Sequence, residues 1–175
     1  MDIVAELEQV VRTVPDFPKP GIQFKDITPI LGDPVLLHQA VEALAAPYLD
    51  DGITKVVGIE ARGFILGAML AQFLGAGFVP VRKRGKLPYK TVVEEYELEY
   101  GTDVIEMHVD AIEPHDRVLI HDDVIATGGT AAACYRLARH SGAEVVGYAF
   151  LMELGFLEGR RLLKDGLKVH SVLMG

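Results

Sequence analysis

The sequence predicts an α/β fold with a mainly parallel central sheet flanked by helices. Three observations predict it. Mostly apolar runs at 55–59, 77–82 and 117–121 lack the alternation of a half-solvated strand and read as strands buried on both faces. Helical patterns at 64–74 and 130–140 follow the first and third of these, the strand–helix alternation that builds a parallel sheet. Only residues 91–109 break the pattern. There Tyr96, Leu98 and Tyr100 alternate with polar residues, as do Ile105, Met107 and Val109, which fits an antiparallel hairpin.

Taken in order, the first helix is expected over residues 2–11, where Ile3, Leu7 and Val10 share a face. Residues 14–34 read as irregular, punctuated by Pro15, Pro18, Pro20, Gly21, Pro29, Gly32 and Pro34. A long irregular stretch in a compact chain usually carries function. Asp33 as N-cap and Pro34 at the first helical position start a second helix, with Leu37, Val41, Leu44 and Tyr48 as its apolar stripe. The strands at 55–59 and 77–82 enclose the helix at 64–74. After the hairpin come the strand at 117–121 and the helix at 130–140, ended by Gly142, then strands at 144–151 and 168–173. No repeat, low-complexity tract or linker divides the chain, so residues 1–175 read as a single domain with one substantial core.

Half of the residues are apolar and 24% are charged, a soluble globular profile. No apolar run reaches membrane-spanning length. The start, Met1-Asp2-Ile3-Val4-Ala5-Glu6, is acidic and lacks the basic and apolar regions of a secretory signal. A single cysteine, Cys134, fits a reducing compartment. A cytoplasmic protein with no membrane partner is therefore expected. With 17 Lys and Arg against 25 Asp and Glu, the net charge is −8, so no nucleic-acid partner is expected from bulk attraction. An anionic ligand needs cations gathered locally, and Arg82-Lys83-Arg84-Gly85-Lys86 is the dense basic run.

Chemistry concentrates between Val118 and Thr130, where a short strand meets two carboxylates and a small-residue loop that opens a helix. Asp122 and Asp123 sit at the strand's carboxyl end, where open α/β sheets bind ligands. Ala126, Thr127, Gly128, Gly129 and Thr130 offer backbone N–H groups and two hydroxyls at a helix N-terminus, a phosphate cradle. The acid pair suits ribose hydroxyls or a hard cation such as Mg²⁺. A polar N-cap alone, from Thr127 or Thr130, would not call for two acids and two glycines beside it. Glu60-Ala61-Arg62-Gly63 forms a second anion site at a strand end, and Arg62 can grip a diphosphate with both arms of its guanidinium. The run at 82–86 reads either as a solvated charged face or as a loop that brings cations onto a polyphosphate. The histidines lack metal-ligand spacing. His121 reads as a hydrogen-bonded structural residue and Cys134 as packed and inert.

Residues 118–130 resemble the phosphoribosyl diphosphate (PRPP) signature of the type I phosphoribosyltransferases: four apolar residues, two acids, small or apolar residues, then Thr-Gly-Gly-Thr. His121 departs from it, standing where an apolar residue is usual. Arg82-Lys83-Arg84-Gly85-Lys86-Leu87-Pro88, Leu98-Glu99-Tyr100-Gly101 and the run from Phe17 to Pro29 narrow the resemblance to the adenine phosphoribosyltransferase family, across about residues 3–155. The resemblance implies the type I phosphoribosyltransferase fold, with an N-terminal hood over residues 1–34 and a flexible loop and hairpin over 83–103. It implies Mg²⁺-dependent purine salvage, in which adenine and PRPP give AMP and pyrophosphate, and a homodimer with the basic loop near its interface.

It also implies roles. Residues 126–130 would hold the 5′-phosphate. Asp122 and Asp123 would contact the ribose hydroxyls, favour positive charge developing at C1 and influence the metal. Ala61, Arg62, Arg82 and Lys86 would neutralise the leaving pyrophosphate. In this family the loop around Ala61 often carries an unusual peptide geometry. Glu99 is the candidate acid/base group at the purine N7, or else the polar half of an alternating strand, as Glu95 and Glu97 are. Tyr100 closes over the site or belongs to the core. Backbone groups of Gln23, Phe24 and Lys25 would read the base edge, with Phe24 stacking on the ring or joining the core. Lys25 stands where arginine is commoner and lacks its planar fork, which bears on a side-chain role and not on a backbone one. Two rivals compete. A phosphoribosyltransferase for xanthine, hypoxanthine or orotate would keep the signature and change the base contacts. A PRPP- or nucleotide-sensing regulator would want a basic surface, against which the charge of −8 argues.

Overall fold

The computed structural model describes residues 2–98 and 100–175. Its helices are α1 (Ile3–Val10), α2 (Thr28–Gly32), α3 (Pro34–Ala45), α4 (Gly63–Phe73) and α5 (Gly129–Arg139). Its strands are β1 (Arg12–Pro15), β2 (Gln23–Asp26), β3 (Lys55–Ile59), β4 (Gly77–Lys83), β5 (Thr91–Glu97), β6 (Thr102–His108), β7 (Arg117–Ile125), β8 (Glu144–Glu153) and β9 (Lys168–Met174). Seven strands form one sheet in the order β5-β6-β4-β3-β7-β8-β9. The run β4-β3-β7-β8-β9 is parallel throughout. The β5–β6 hairpin adds antiparallel strands at one edge, joined to β4 through Arg82–Glu106 and Lys83–Ile105.

Apolar runs without alternation form the centre because both faces of these strands are covered. Val57, Ile59, Val118 and Ile120 face one way, against Ala133, Cys134 and Leu137 of α5. Val56, Leu119, Ala149 and Leu151 face the other way, against Val41 and Leu44 of α3 and Leu66 and Leu70 of α4. Each Val, Leu or Ile among them contributes about 1.5–3 kcal/mol by leaving water. The start of α3 follows its local chemistry, since one Asp33 oxygen accepts from the Val35 and Leu36 amides at 2.8 and 3.1 Å.

Two expectations need correction. Residues 14–34 are irregular only in part, chiefly over 16–22. β1 and β2 pair antiparallel, with Thr13 opposite Lys25 and Val14 opposite Phe24, and 28–32 form α2. The prolines obscured this ribbon because they sit at its end (Pro15) and in its connection (Pro18, Pro20), where no ladder N–H is needed. The bond between Phe17 and Pro18 is cis. The signature strand also does not stop before the acids. β7 continues to Ile125 because β8 pairs with it as far as Glu153, whereas β3 pairs only as far as His121. Asp122 and Asp123 thus lie on a strand held on one side and open on the other.

That opening is the topological switch point. From β3 the chain crosses through α4 to β4 on one side, and from β7 through α5 to β8 on the other, leaving a crevice at the carboxyl ends. No helix among the described residues is long and apolar enough to cross a membrane.

Candidate active site

Asp122 is the centre of the crevice. It lines three cavities, of about 420, 80 and 280 Å³. Its carboxyl is pushed well above the usual range, first by burial and then by the Asp123 charge. Gly63 opens α4 against it, and a Cβ there would stand 2.9 Å from Asp122 Oδ1, so a larger residue would push the Asp122 carboxyl aside.

The largest cavity runs from the β1–β2 ribbon to the 60–62 loop. Gln23, Phe24 and Lys25 line it together with Glu60, Ala61, Arg62, Asp122, Asp123 and Ala126. The Phe17 ring meets Phe24 edge-on at 5.2 Å. Arg62 lies over the other partner of this wall, its guanidinium 5.3 Å from the Phe24 centroid. Its Nε stands 2.8 Å from Asp123 Oδ2, a charge contact rather than an aligned hydrogen bond. The Glu60–Ala61 peptide is cis. Lys25 donates to the Thr13 hydroxyl across the ribbon at 3.0 Å, so its ammonium already has a partner within the ribbon.

The smallest cavity is the loop at the start of α5, lined by Ala126, Thr127, Gly128 and Thr130 with Asp122 and Val124. Gly128 is the N-cap, at φ +85°, and no side chain caps the helix. The threonine N-cap considered from sequence is therefore absent, and the first-turn N–H groups are left to a ligand or water.

The third cavity joins Glu60, Arg82, Lys83, Tyr96, Leu98 and Asp103 to Asp122 and Thr130. Glu60 accepts from Arg82 Nη2 at 3.1 Å and from the Lys83 amide at 2.8 Å. Arg82 Nε is buried with no acceptor among the described residues. Lys86 is exposed outside the three cavities, and its carbonyl accepts from Arg82 Nη1 at 3.3 Å. The basic loop is pinned from below by Glu106, which is 4% exposed and accepts from the Gly85 and Leu87 amides at 3.1 Å each. Tyr100 is 87% exposed and lines none of these cavities. Glu99 lies outside the described residues.

Several contributors were not foreseen from sequence. Ile22, Val124, Met152 and Leu154 wall the large cavity, and Asp103 pairs with Lys83 at 3.0 Å. Ile22, Glu60 and Val124 stand inside recognisable motifs, which is the signal that could have found them; Met152 and Leu154 at the end of β8 and Asp103 at the start of β6 carry none. His121 is buried with Nδ1 2.9 Å from the Ala149 carbonyl oxygen, and burial lowers its imidazole to about 4. Burial also pushes the Cys134 thiol up, which makes it unreactive.

Among the described residues, no three metal-binding side chains converge. Asp122 and Asp123 alone fit a hard cation that takes its remaining ligands from substrate and water, as Mg²⁺ commonly does.

Comparison with known proteins agrees with this geometry. Residues 33–165 match the model of the phosphoribosyl transferase domain. The adenine phosphoribosyltransferase of Myxococcus xanthus is 59% identical over 157 residues, which cover 90% of this chain and 85% of that protein. The crystal structure of adenine phosphoribosyltransferase from Rhodothermus marinus superposes with a TM-score of 0.95 at 66% identity, covering 99% of this chain and 98% of that one. The Saccharomyces cerevisiae enzyme, complexed with an imino-altritol bisphosphate and adenine, gives 0.92 at 42% identity, with 98% of each chain covered. This chain belongs to the adenine phosphoribosyltransferase family.

Proposed function

We propose that the chain transfers the 5-phosphoribosyl group of PRPP to adenine, giving AMP and pyrophosphate in purine salvage. The observation that carries this reading is the meeting of three cavities at Asp122. An aromatic platform, a set of guanidinium groups and an uncapped helix start all open toward one carboxylate.

Each part has a task. The half-buried Phe24 offers a face for the purine, with Val124, Met152 and Leu154 as apolar walls. Because the Lys25 ammonium is tied to Thr13, discrimination of the purine edge falls to backbone groups of 23–25. The 126–130 loop holds the 5′-phosphate against the first turn of α5. Asp122 and Asp123 take the ribose hydroxyls and favour the positive charge that develops at C1. Ala61, Arg62 and Arg82 face the diphosphate, with Lys86 on the adjoining loop, so negative charge accumulating on the leaving group is met by donors already in place. Tyr100, exposed beyond Leu98, is read as part of a lid that excludes water when substrate is bound. Glu99 is the acid/base candidate on its sequence context, moving the proton that adenine must lose. Mg²⁺, steered by Asp122 and Asp123, would neutralise the diphosphate when bound.

The same reading includes a homodimer in the cytoplasm, for which sedimentation velocity supplies the test of assembly. The reaction is tested by incubating the protein with PRPP, Mg²⁺ and, separately, adenine, hypoxanthine, guanine, xanthine and orotate, followed by chromatography. AMP from adenine alone is expected. Nucleotide from a different base would overturn the substrate, and no nucleotide from any base would overturn the transferase reading.

A further inference from the structure

The phosphate loop rests on a segment that the signature does not contain. Gly128, buried at the loop's apex, lies against Gly159 so closely that a Cβ on Gly128 would overlap the Gly159 carbonyl. A Cβ on Gly159 would in turn overlap the Ala126 carbonyl oxygen, and would stand 3.0 Å from Ile125 Cγ1 and 3.1 Å from the Gly128 nitrogen. The contact is backbone on backbone from both sides. Gly159 does not line the phosphate cavity, so it backs the loop rather than facing the ligand.

Gly159 opens a 3₁₀ turn over Gly159–Leu162, and the next residue fastens that turn to the sheet. Arg160 Nε donates to both oxygens of Glu153 at 2.8 Å, and Nη2 donates to Oε2 at 2.7 Å. The Ser171 hydroxyl donates to the same oxygen at 2.7 Å, and Arg160 Nη1 reaches the Val169 carbonyl at 3.3 Å. Glu153 is 6% exposed and sits opposite Ile125 in the β7–β8 ladder, on the rung from which the phosphate loop departs. The clamp and the loop therefore share one anchor.

We infer that Gly159, held by the Arg160–Glu153–Ser171 clamp, sets the position of the phosphate loop, and that Gly159 and Arg160 are positioning residues for the 5′-phosphate of PRPP. The inference rests on the reading of residues 126–130 as that phosphate's cradle. A loop moved by a fraction of an ångström presents its N–H groups at wrong distances, and misplacement near 1 Å costs about a hundredfold. The effect should fall on the phosphate-bearing substrate and spare the base.

The test compares Gly159→Ala, Arg160→Lys and Ser171→Ala with the parent protein. It reads KM for PRPP, KM for adenine, kcat, AMP affinity by calorimetry, and the thermal midpoint. Arg160→Lys keeps the charge but loses the fork on Glu153. Gly159→Ala and Arg160→Lys should raise KM for PRPP by about ten- to a hundredfold and weaken AMP binding similarly, with KM for adenine nearly unchanged. A purely structural role would lower the thermal midpoint and the active fraction while leaving both affinities at parent values, and that result overturns the inference. If Gly159→Ala does not fold, Ser171→Ala, which removes one hydroxyl from the clamp, decides by a smaller rise in KM for PRPP or none. Thr130→Val separates the two layers of argument. If it leaves PRPP binding intact, the cradle reading fails and this inference with it. If it weakens PRPP binding while the Gly159 and Arg160 variants do not, this inference alone fails.

Discussion

Replacing Arg62 with methionine keeps a chain of similar length and removes the guanidinium, and the structure separates its effect on the fold from its effect on the reaction. The Arg62 side chain is 50% exposed, and its charge contact is with an Asp123 side chain that is 6% exposed. Losing this half-solvated cation strands a buried carboxylate, which costs about 1–3 kcal/mol, between a surface pair and a buried one. The guanidinium over Phe24 adds about 0.5–1 kcal/mol. The fold should therefore lose about 2–4 kcal/mol, and for a chain of this size each kcal/mol lowers Tm by about 2–4 °C. The reaction carries its own, separate loss. An oriented donor facing charge that develops in the transition state is worth about a hundred- to a thousandfold in rate, or about 3–4 kcal/mol. The assay is initial rate at saturating adenine with varied PRPP, repeated in reverse with AMP and varied pyrophosphate. Arg62→Lys should fall between, because an ammonium replaces the charge and not the fork. A kcat/KM for PRPP within about threefold of the parent, in a protein whose Tm has fallen as expected, would refute the assignment of Arg62 to the diphosphate.

Burial holds the His121 imidazole at about 4, below its ordinary 6.5, so the unfolded chain takes up a proton near pH 6.5 that the folded protein refuses until about pH 4. Stability should fall as pH drops through that window, by at most roughly 3 kcal/mol. His121→Leu should flatten that part of a urea-unfolding series, and an unchanged slope would sink the idea. Phe24→Ala should raise KM for adenine by about ten- to a hundredfold, the worth of one base–aromatic stack, with a smaller effect on PRPP through the loss of support for Arg62; equal losses for both substrates would count against stacking. Glu106→Ala removes the acceptor for the Gly85 and Leu87 amides and should raise KM for PRPP about tenfold, whereas Glu106→Gln keeps a carbonyl acceptor and should restore it; failure of Gln to rescue would show that charge rather than loop geometry matters. Glu99→Gln should lower kcat by about a hundred- to ten-thousandfold with PRPP binding retained, and parent-like turnover removes Glu99 from acid/base chemistry.

The central strands were legible because burial on both faces leaves a local trace, an apolar run without alternation. The end of β7 was not, because the ladder from Asp122 to Ile125 depends on β8, a partner some thirty residues away in sequence. The hairpin was recognised by its alternation, but alternation does not show how deeply Glu106 sits. Between Ile105 and Met107 it reads as solvent-facing, yet it is 4% exposed because the basic loop folds over that side of β6. The acid pair and the small-residue loop were legible because several residue types unusual together fall within thirteen positions. Met152 and Leu154 were not, since an apolar residue ending a strand looks the same whether it packs on a helix or on a bound purine.

A chain of net charge −8 that takes up a polyanion must solve a problem of sign, and the cavity shows how. Glu60 holds Arg82 at 3.1 Å, Asp123 holds Arg62 at 2.8 Å and Asp103 holds Lys83 at 3.0 Å. Asp122 has no cation partner among the described residues, and its carboxyl is the one pushed well above the ordinary range, by burial and then by Asp123. Before substrate arrives, each cation is oriented by its own carboxylate, and the acid without a cation is disfavoured from carrying charge. In the proposed reaction the diphosphate competes with those carboxylates for Arg62 and Arg82. Every guanidinium it captures leaves an acid uncompensated in a poorly solvated crevice, which is costly. In that proposed reaction Asp123 and Asp122 would be the residues to meet a cation entering with the diphosphate, which would lower that cost at Asp123 and favour the charged form of Asp122. On the proposed function, the pairing in the free protein would favour PRPP as its metal complex over the bare anion.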